Sequence, residues 1–90
     1  MLDNPDELLR ALSHRERRRL LVLCRDRPRT AGDLAKDSAM TGASVSEHLK
    51  VLRKTGLAHV EKQGKFWLYR TDVEFLKKVL SALSEELLEN

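Results

Sequence analysis

Residues 41–50 read Thr41-Gly42-Ala43-Ser44-Val45-Ser46-Glu47-His48-Leu49-Lys50, and residues 62–65 read Lys62-Gln63-Gly64-Lys65. Two hydroxyls, an imidazole and a set of cations are hydrogen-bond donors and positive charges. Their chemistry is directed donation and charge pairing to an anionic surface. Small hydroxyls let a helix lie close against a phosphate-walled groove, where they donate to phosphates or base edges. Gly42 removes a side chain at a first helical turn, where backbone N–H groups can approach a phosphate. The bland alternatives are an ordinary surface helix that begins with serines and a solvated basic hairpin tip.

Bond-making chemistry finds little support. There is no nucleophile–base–orienter set, no phosphate-binding glycine loop and no strong metal motif. Ser44 and Ser46 sit on an exposed helix with no general base placed by a motif. Cys24 is the single cysteine, so it forms no intramolecular disulfide. It falls on an apolar helix face and reads as core packing. His14 and His59 are too far apart in the pattern to nominate as a site. The expectation is a protein that is not an enzyme and carries no cofactor and no metal.

The elements that present these residues lie between Thr30 and Gly56. Thr30 can N-cap a first short helix, with Asp33 three residues on as a weak capping box. Leu34 and Ala35 give that helix an apolar face, Ala39 and Met40 sit in a turn, and Thr41 caps a second helix. In that second helix, residues 42–55, Val45, Leu49 and Leu52 make one narrow buried stripe. Ala43, Ser44, Ser46, Glu47, His48 and Lys50 remain on the outer face.

On the N-terminal side, Asn4-Pro5-Asp6-Glu7 is a dense helix start, with Leu8, Leu9 and Leu12 as the apolar face. Ser13, with Glu16 three residues later, restarts a helix whose apolar part is Leu20, Leu21, Leu23 and Cys24. Arg15, Arg17, Arg18 and Arg19 spread around most of a helix circumference and cannot all face one ligand. They read as a solvated helix start with stems lying on apolar neighbours. Asp26-Arg27-Pro28-Arg29 breaks that helix.

Beyond Gly56, a helix stop, the period changes to two. Residues 57–61 and 66–70 read as paired strands, with Lys62 to Lys65 as the turn and Gly64 available for positive φ. Val60 and Leu68 are expected to face inward, although the second strand carries apolar groups on both faces, Trp67 and Tyr69 lying opposite Phe66 and Leu68. A hairpin over residues 58–70 with Lys62 and Lys65 at its tip would reach a phosphate backbone or a minor groove. Thr71 and Asp72 cap a last helix running to about Glu89. Leu76, Val79, Leu80, Leu83 and Leu87 form a stripe along it, with Phe75 at its edge. Ninety residues bury only a marginal core. The stripe, together with Leu8, Leu9 and Leu12, is therefore expected to be a homodimer seam, with intramolecular packing as the alternative.

The bulk properties agree. Residues 1–90 read as one domain without repeats or linkers. No apolar run approaches a membrane span, and no signal-peptide pattern opens the chain. These features point to the cytoplasm. Net charge is +3, and the acids Asp3, Asp6, Glu7, Glu85, Glu86 and Glu89 crowd the ends, so the middle is more basic than the mean. That distribution favours a nucleic-acid partner.

The order helix, helix, helix-turn-helix, hairpin, helix is that of a mainly α (α+β) winged helix-turn-helix, with about five helices and a two-stranded wing. Ala11-Leu12-Ser13, residues 17–23, 31–35 and 45–52, and Gly56-Leu57 resemble the ArsR/SmtB family of bacterial and archaeal repressors. The run SVSEHLKVLRKTGLAHVEKQGKFWLYR looks especially like that family's recognition helix and wing. The resemblance covers roughly residues 5–88.

It implies a homodimer paired through the first and last helices. That dimer would sit on an inverted-repeat operator of double-stranded DNA and block transcription until an effector releases it. By position, Ser44, Ser46 and His48 would contact the groove, with Thr41, Gly42 and Ala43 at the helix start. Lys50, Lys62, Gln63 and Lys65 would hold phosphates. Glu47 stands where the family often places Arg, Gln or His, and it either accepts from a cytosine N4 or points away and costs affinity.

The family's metal sensors carry cysteines near the first helix of the helix-turn-helix, or a D-x-H pattern with partners on the last helix. Residues 30–40 hold no cysteine, and Asp72, Glu74 and Glu85, with Leu88, lack imidazole. Zinc favours His and Cys, whereas hard cations accept carboxylates. The signal is then a ligand, a protein partner or the protein's own concentration acting through dimerisation. The alternative function is a winged-helix protein-interaction module without specific DNA binding.

Overall fold

A computed structural model of the protein describes residues 4–89; Asp3, counted in the acidic start, lies outside the described residues. Five helices and three strands follow one another as α1 (Pro5–Leu12), α2 (Arg15–Leu23), β1 (Arg29–Thr30), α3 (Ala31–Ser38), α4 (Gly42–Lys54), β2 (Ala58–Gln63), β3 (Phe66–Thr71) and α5 (Val73–Leu88). The sheet is antiparallel in the order β1-β3-β2. The expected two-stranded wing is present, and Arg29–Thr30 adds a short third strand against Tyr69 and Leu68.

Three caps fall where the sequence places them. Thr30 Oγ1 accepts from Asp33 N at 3.1 Å, Thr41 Oγ1 from Ser44 N at 3.1 Å, and Asp72 Oδ1 from Phe75 N at 2.9 Å. Each satisfies a backbone donor that the helix's first turn leaves without a partner. Ser13 behaves otherwise. It does not begin α2, whose N-cap position is His14, and its Oγ donates to Arg10 O at 2.7 Å, closing α1. Asn4 occupies the N-cap position of α1 without a side-chain cap bond.

Leu20, Leu34, Val45, Leu49, Leu52, Leu57 and Val79 form the buried centre, with Leu8, Ala11, Leu21, Cys24 and Ala58 around them. Burying each large side chain contributes about 1.5–3 kcal/mol. Cys24 is packing, as expected: it is fully buried, and desolvation pushes its thiol pKa up. Thr71 ties the end of the wing to α2. Its Oγ1 donates to Leu21 O at 2.7 Å and its N–H to Cys24 O at 3.1 Å.

Gly56 ends α4 at φ +82°, and a Cβ there would sit 3.4 Å from the Phe75 ring. The left-handed backbone selects glycine at that position, since the ring stands at ordinary contact distance.

Two expectations about packing need correction. Leu8 and Val79, assigned to a seam between copies, lie in the protomer's own core at 4% and 0% exposure and offer no area to a partner. Val60 and Leu68 do not share a face. Val60 pairs with Tyr69 and Leu68 with Glu61, so Leu68 stands on the opposite side of the sheet.

Candidate nucleic-acid interface

The stripe Val45, Leu49 and Leu52 is buried against the core, which fixes the rotation of α4. Thr41, Gly42, Ala43, Ser46, Glu47 and Lys50 are consequently exposed, and Ser44 and His48 are half-buried. Because Thr41 takes the Ser44 amide, the hydroxyls follow a capped first turn. The angle between α3 and α4 is set at Ala39, which adopts the left-handed conformation at φ 60°.

His48 is the one member of this face whose ring is held from behind. Arg17 Nε donates to its Nδ1 at 3.2 Å, and Arg17 Nη1 donates to Arg10 O at 3.4 Å. The His14 ring lies 6.1 Å away, centroid to centroid. Desolvation, and then the Arg17 charge, lower the His48 pKa below its ordinary value. Of the four-arginine run, Arg17 alone is half-buried while Arg15, Arg18 and Arg19 are exposed. Nothing local in the sequence distinguishes Arg17 from its neighbours.

The wing carries the second group. Lys62 pairs with Trp67 and Gln63 with Phe66, so both belong to the ladder, and the turn shrinks to Gly64-Lys65. Gly64 has φ +61°, as a two-residue hairpin loop requires. Lys62, Gln63 and Lys65 are exposed, with Lys65 Nζ 5.4 Å from the Phe66 ring centroid.

Between helix and wing the structure brings together residues that the sequence reading missed. A groove of about 450 Å³ is lined by Lys50, Arg53, Lys54, Ala58, His59 and Val60. Its cations Arg53 and Lys54 lie one turn of α4 beyond Lys50, at i+3 and i+4, so helical spacing from Lys50 could have disclosed them. Away from this face, Leu9, Leu80 and Leu87 are exposed on α1 and α5, while Leu12, Leu76 and Leu83 are partly covered by the core. Val22 joins the exposed apolar group beside Leu80.

Among the described residues no group of three or more His, Cys, Asp or Glu is placed to hold a metal ion. None of the described helices is long and apolar enough to cross a membrane.

Residues 14–60, from the start of α2 into the wing, match the family described as bacterial regulatory protein, arsR family. The match takes in more than half of the chain. The chain belongs to the arsR family. This arsR-family protein is 28% identical over 72 residues to the transcriptional repressor SdpR of Bacillus subtilis (strain 168), a span covering 80% of each chain.

Its fold is that of an ArsR-like transcriptional regulator from Rhodococcus sp. RHA1, at TM-score 0.86 and 24% identity, over 96% of this chain and 81% of the other. A homodimeric winged helix-turn-helix DNA-binding domain, Mb0332 from Mycobacterium bovis, superposes at TM-score 0.76 with 25% identity. That match covers 96% of this chain and 82% of the other. The arsR-family protein is thus a transcriptional regulator with a winged helix-turn-helix DNA-binding domain.

Proposed function

We propose that this arsR-family protein is a homodimeric repressor that binds an inverted-repeat operator through α4 and the wing. The observation that carries the reading is the rotation of α4. Its apolar stripe is sealed into the core, and Gly42, Ala43, Ser46 and Glu47 are left outside with Ser44 and His48 half-exposed. Short side chains at that end allow the helix backbone to enter a major groove. Lys50, Lys62, Gln63 and Lys65, joined by Arg53 and Lys54, pair with the flanking phosphates.

Residues 1–90 act as one unit, and α1 and α5 supply the dimer contacts through Leu9, Leu12, Leu76, Leu80, Leu83 and Leu87. Kinship to SdpR, a repressor, and to Mb0332, a homodimeric DNA-binding domain, supports the two finer points. Two-fold symmetry then sets the half-sites about one helical turn apart.

The test is selection of fragments from the source genome by the full chain at about 150 mM salt, near the physiological range. An enriched inverted repeat is expected, and Ser46→Ala with His48→Ala should abolish its binding while the fold survives. Enrichment of no sequence, with duplex binding confined to low salt, would overturn the reading. The exposed Glu47 would then favour a winged helix that meets a protein partner instead.

A further inference from the structure

Arg17 is fixed at two points. Its Nη1 donates to Arg10 O at the C-terminal end of α1, where Ser13 Oγ also donates, and its Nε donates to His48 Nδ1 on α4. A guanidinium has only donors, so the ring nitrogen facing it must be the acceptor. A neutral imidazole that accepts at Nδ1 carries its single proton at Nε2. The half-buried ring then has one free polar atom, a donor of fixed sign, on the outer half of α4.

We propose that Arg17 is a positioning residue for DNA recognition: held between Arg10 O and His48 Nδ1, it locks His48 as the Nε2–H tautomer and aims one donor at an acceptor on the DNA. This rests on α4 being the groove-facing helix. A donor of fixed sign reads purine N7, guanine O6 or thymine O4 and refuses the amino groups of cytosine N4 and adenine N6. An imidazole free to exchange tautomers would accept either class. The guanidinium therefore contributes to specificity without touching a base.

The same contact makes the device sensitive to acid. Protonation of His48 removes the acceptor at Nδ1 and sets imidazolium beside guanidinium. The other titratable groups facing the ring are Glu16 and His14 from the α2 side and Glu47 from α4 itself. The two carboxylates favour the imidazolium, and His14 and Arg17 oppose it.

The experiment reads the tautomer first and DNA second. Long-range ¹H–¹⁵N correlation spectra of the full chain without DNA should show His48 at neutral pH as one species protonated at Nε2. Arg17→Met, which keeps most of the stem and removes the donors, should turn it into a tautomer mixture. Duplexes selected from a random-sequence pool by the wild-type chain are then compared with a scrambled duplex. Arg17→Met should cut the preference for the selected sequence about tenfold, within the range of one directed base contact. In a His48→Ala background the same change should leave the preference as it is.

Wild-type His48 protonated at Nδ1, or present as a mixture, would overturn the lock without need of any variant. A preference that survives Arg17→Met would overturn the role of Arg17 and leave the DNA reading standing. A wild-type chain that prefers no duplex while His48 shows the locked tautomer would overturn the DNA reading and, with it, the recognition role.

Discussion

His59 Nε2 lies 2.7 Å from Asp72 Oδ2, tying the first wing strand to the residue that caps α5. The same carboxylate accepts the Phe75 N–H through Oδ1. The Phe75 amide and then the His59 hydrogen bond hold the Asp72 carboxyl below its ordinary pKa. A group with a depressed folded pKa stabilises the fold above its unfolded value and loses that contribution as the pH falls through the folded one. Asp72→Ala should therefore destabilise the protein at neutral pH by about 1 kcal/mol, the usual worth of an N-cap. The melting temperature of a domain this size falls by about 4–8 °C for that loss. The gap between the two proteins should close as the pH drops below the carboxylate range, which thermal melts across pH would register. A gap unchanged at low pH would remove the carboxylate from the explanation.

Ala39 bears a cost in the turn between α3 and α4. It is exposed and adopts φ 60°, a conformation that disfavours L residues by about 1–2 kcal/mol. Glycine removes that strain but enlarges the unfolded ensemble by about 0.4–1 kcal/mol. Ala39→Gly should leave a net stabilisation of about 0.5 kcal/mol. Denaturant titration should move its midpoint upward at constant slope. A midpoint that moved down would mean that turn rigidity matters more than turn strain.

What the sequence disclosed about this fold is local. Thr30, Thr41 and Asp72 cap because a side-chain oxygen needs only a backbone N–H three residues on. Val45, Leu49 and Leu52 are buried together because helical period alone aligns them. The losses are long-range. Arg29–Thr30 becomes a strand only because β3 passes beside it, and no residue in that pair announces pairing. The second wing strand carries apolar residues on both faces, with Phe66 and Leu68 on one and Trp67 and Tyr69 on the other, so period two does not say which side is inside. The two-residue turn at Gly64-Lys65 decides it by setting Gln63 against Phe66, and hence Val60 against Tyr69. The leucine period on α5 marks one side of the helix, but it does not separate the sealed Val79 from the open Leu80. In the site, the exposed side chains of α4 follow from its stripe, whereas the Arg17–His48 contact joins residues 31 positions apart and has no sequence signal.

That separation on α5 gives opposite expectations for adjacent residues. Leu80 is 54% and Leu87 74% exposed, so charging them removes no protomer core. Leu80→Glu with Leu87→Glu should reduce the sedimentation mass at micromolar concentration from about twice the 10.3 kDa chain to one chain. Val79→Ala should instead destabilise the protomer by about 2 kcal/mol through the cavity it leaves. If the charged pair sediments as the parent does, α5 is not the dimer seam.

The wing offers the most direct reading of phosphate contact. Lys65 is exposed beside Phe66, and the chain's single tryptophan, Trp67, is half-exposed opposite Lys62. Each phosphate neutralised by a cation adds about 0.9 to the slope of log affinity against log salt. Lys65→Ala should therefore lower the magnitude of that slope by about one, and weaken preferred and scrambled duplexes alike, because a lysine on a phosphate reads no base. Trp67 emission should change as duplex is added, reporting the wing independently of α4. Contact by α4 alone would leave both the slope and the Trp67 emission unmoved. The cations of the α4–β2 groove, Lys50, Arg53 and Lys54, would then carry the whole salt dependence, and Arg53→Ala would show it.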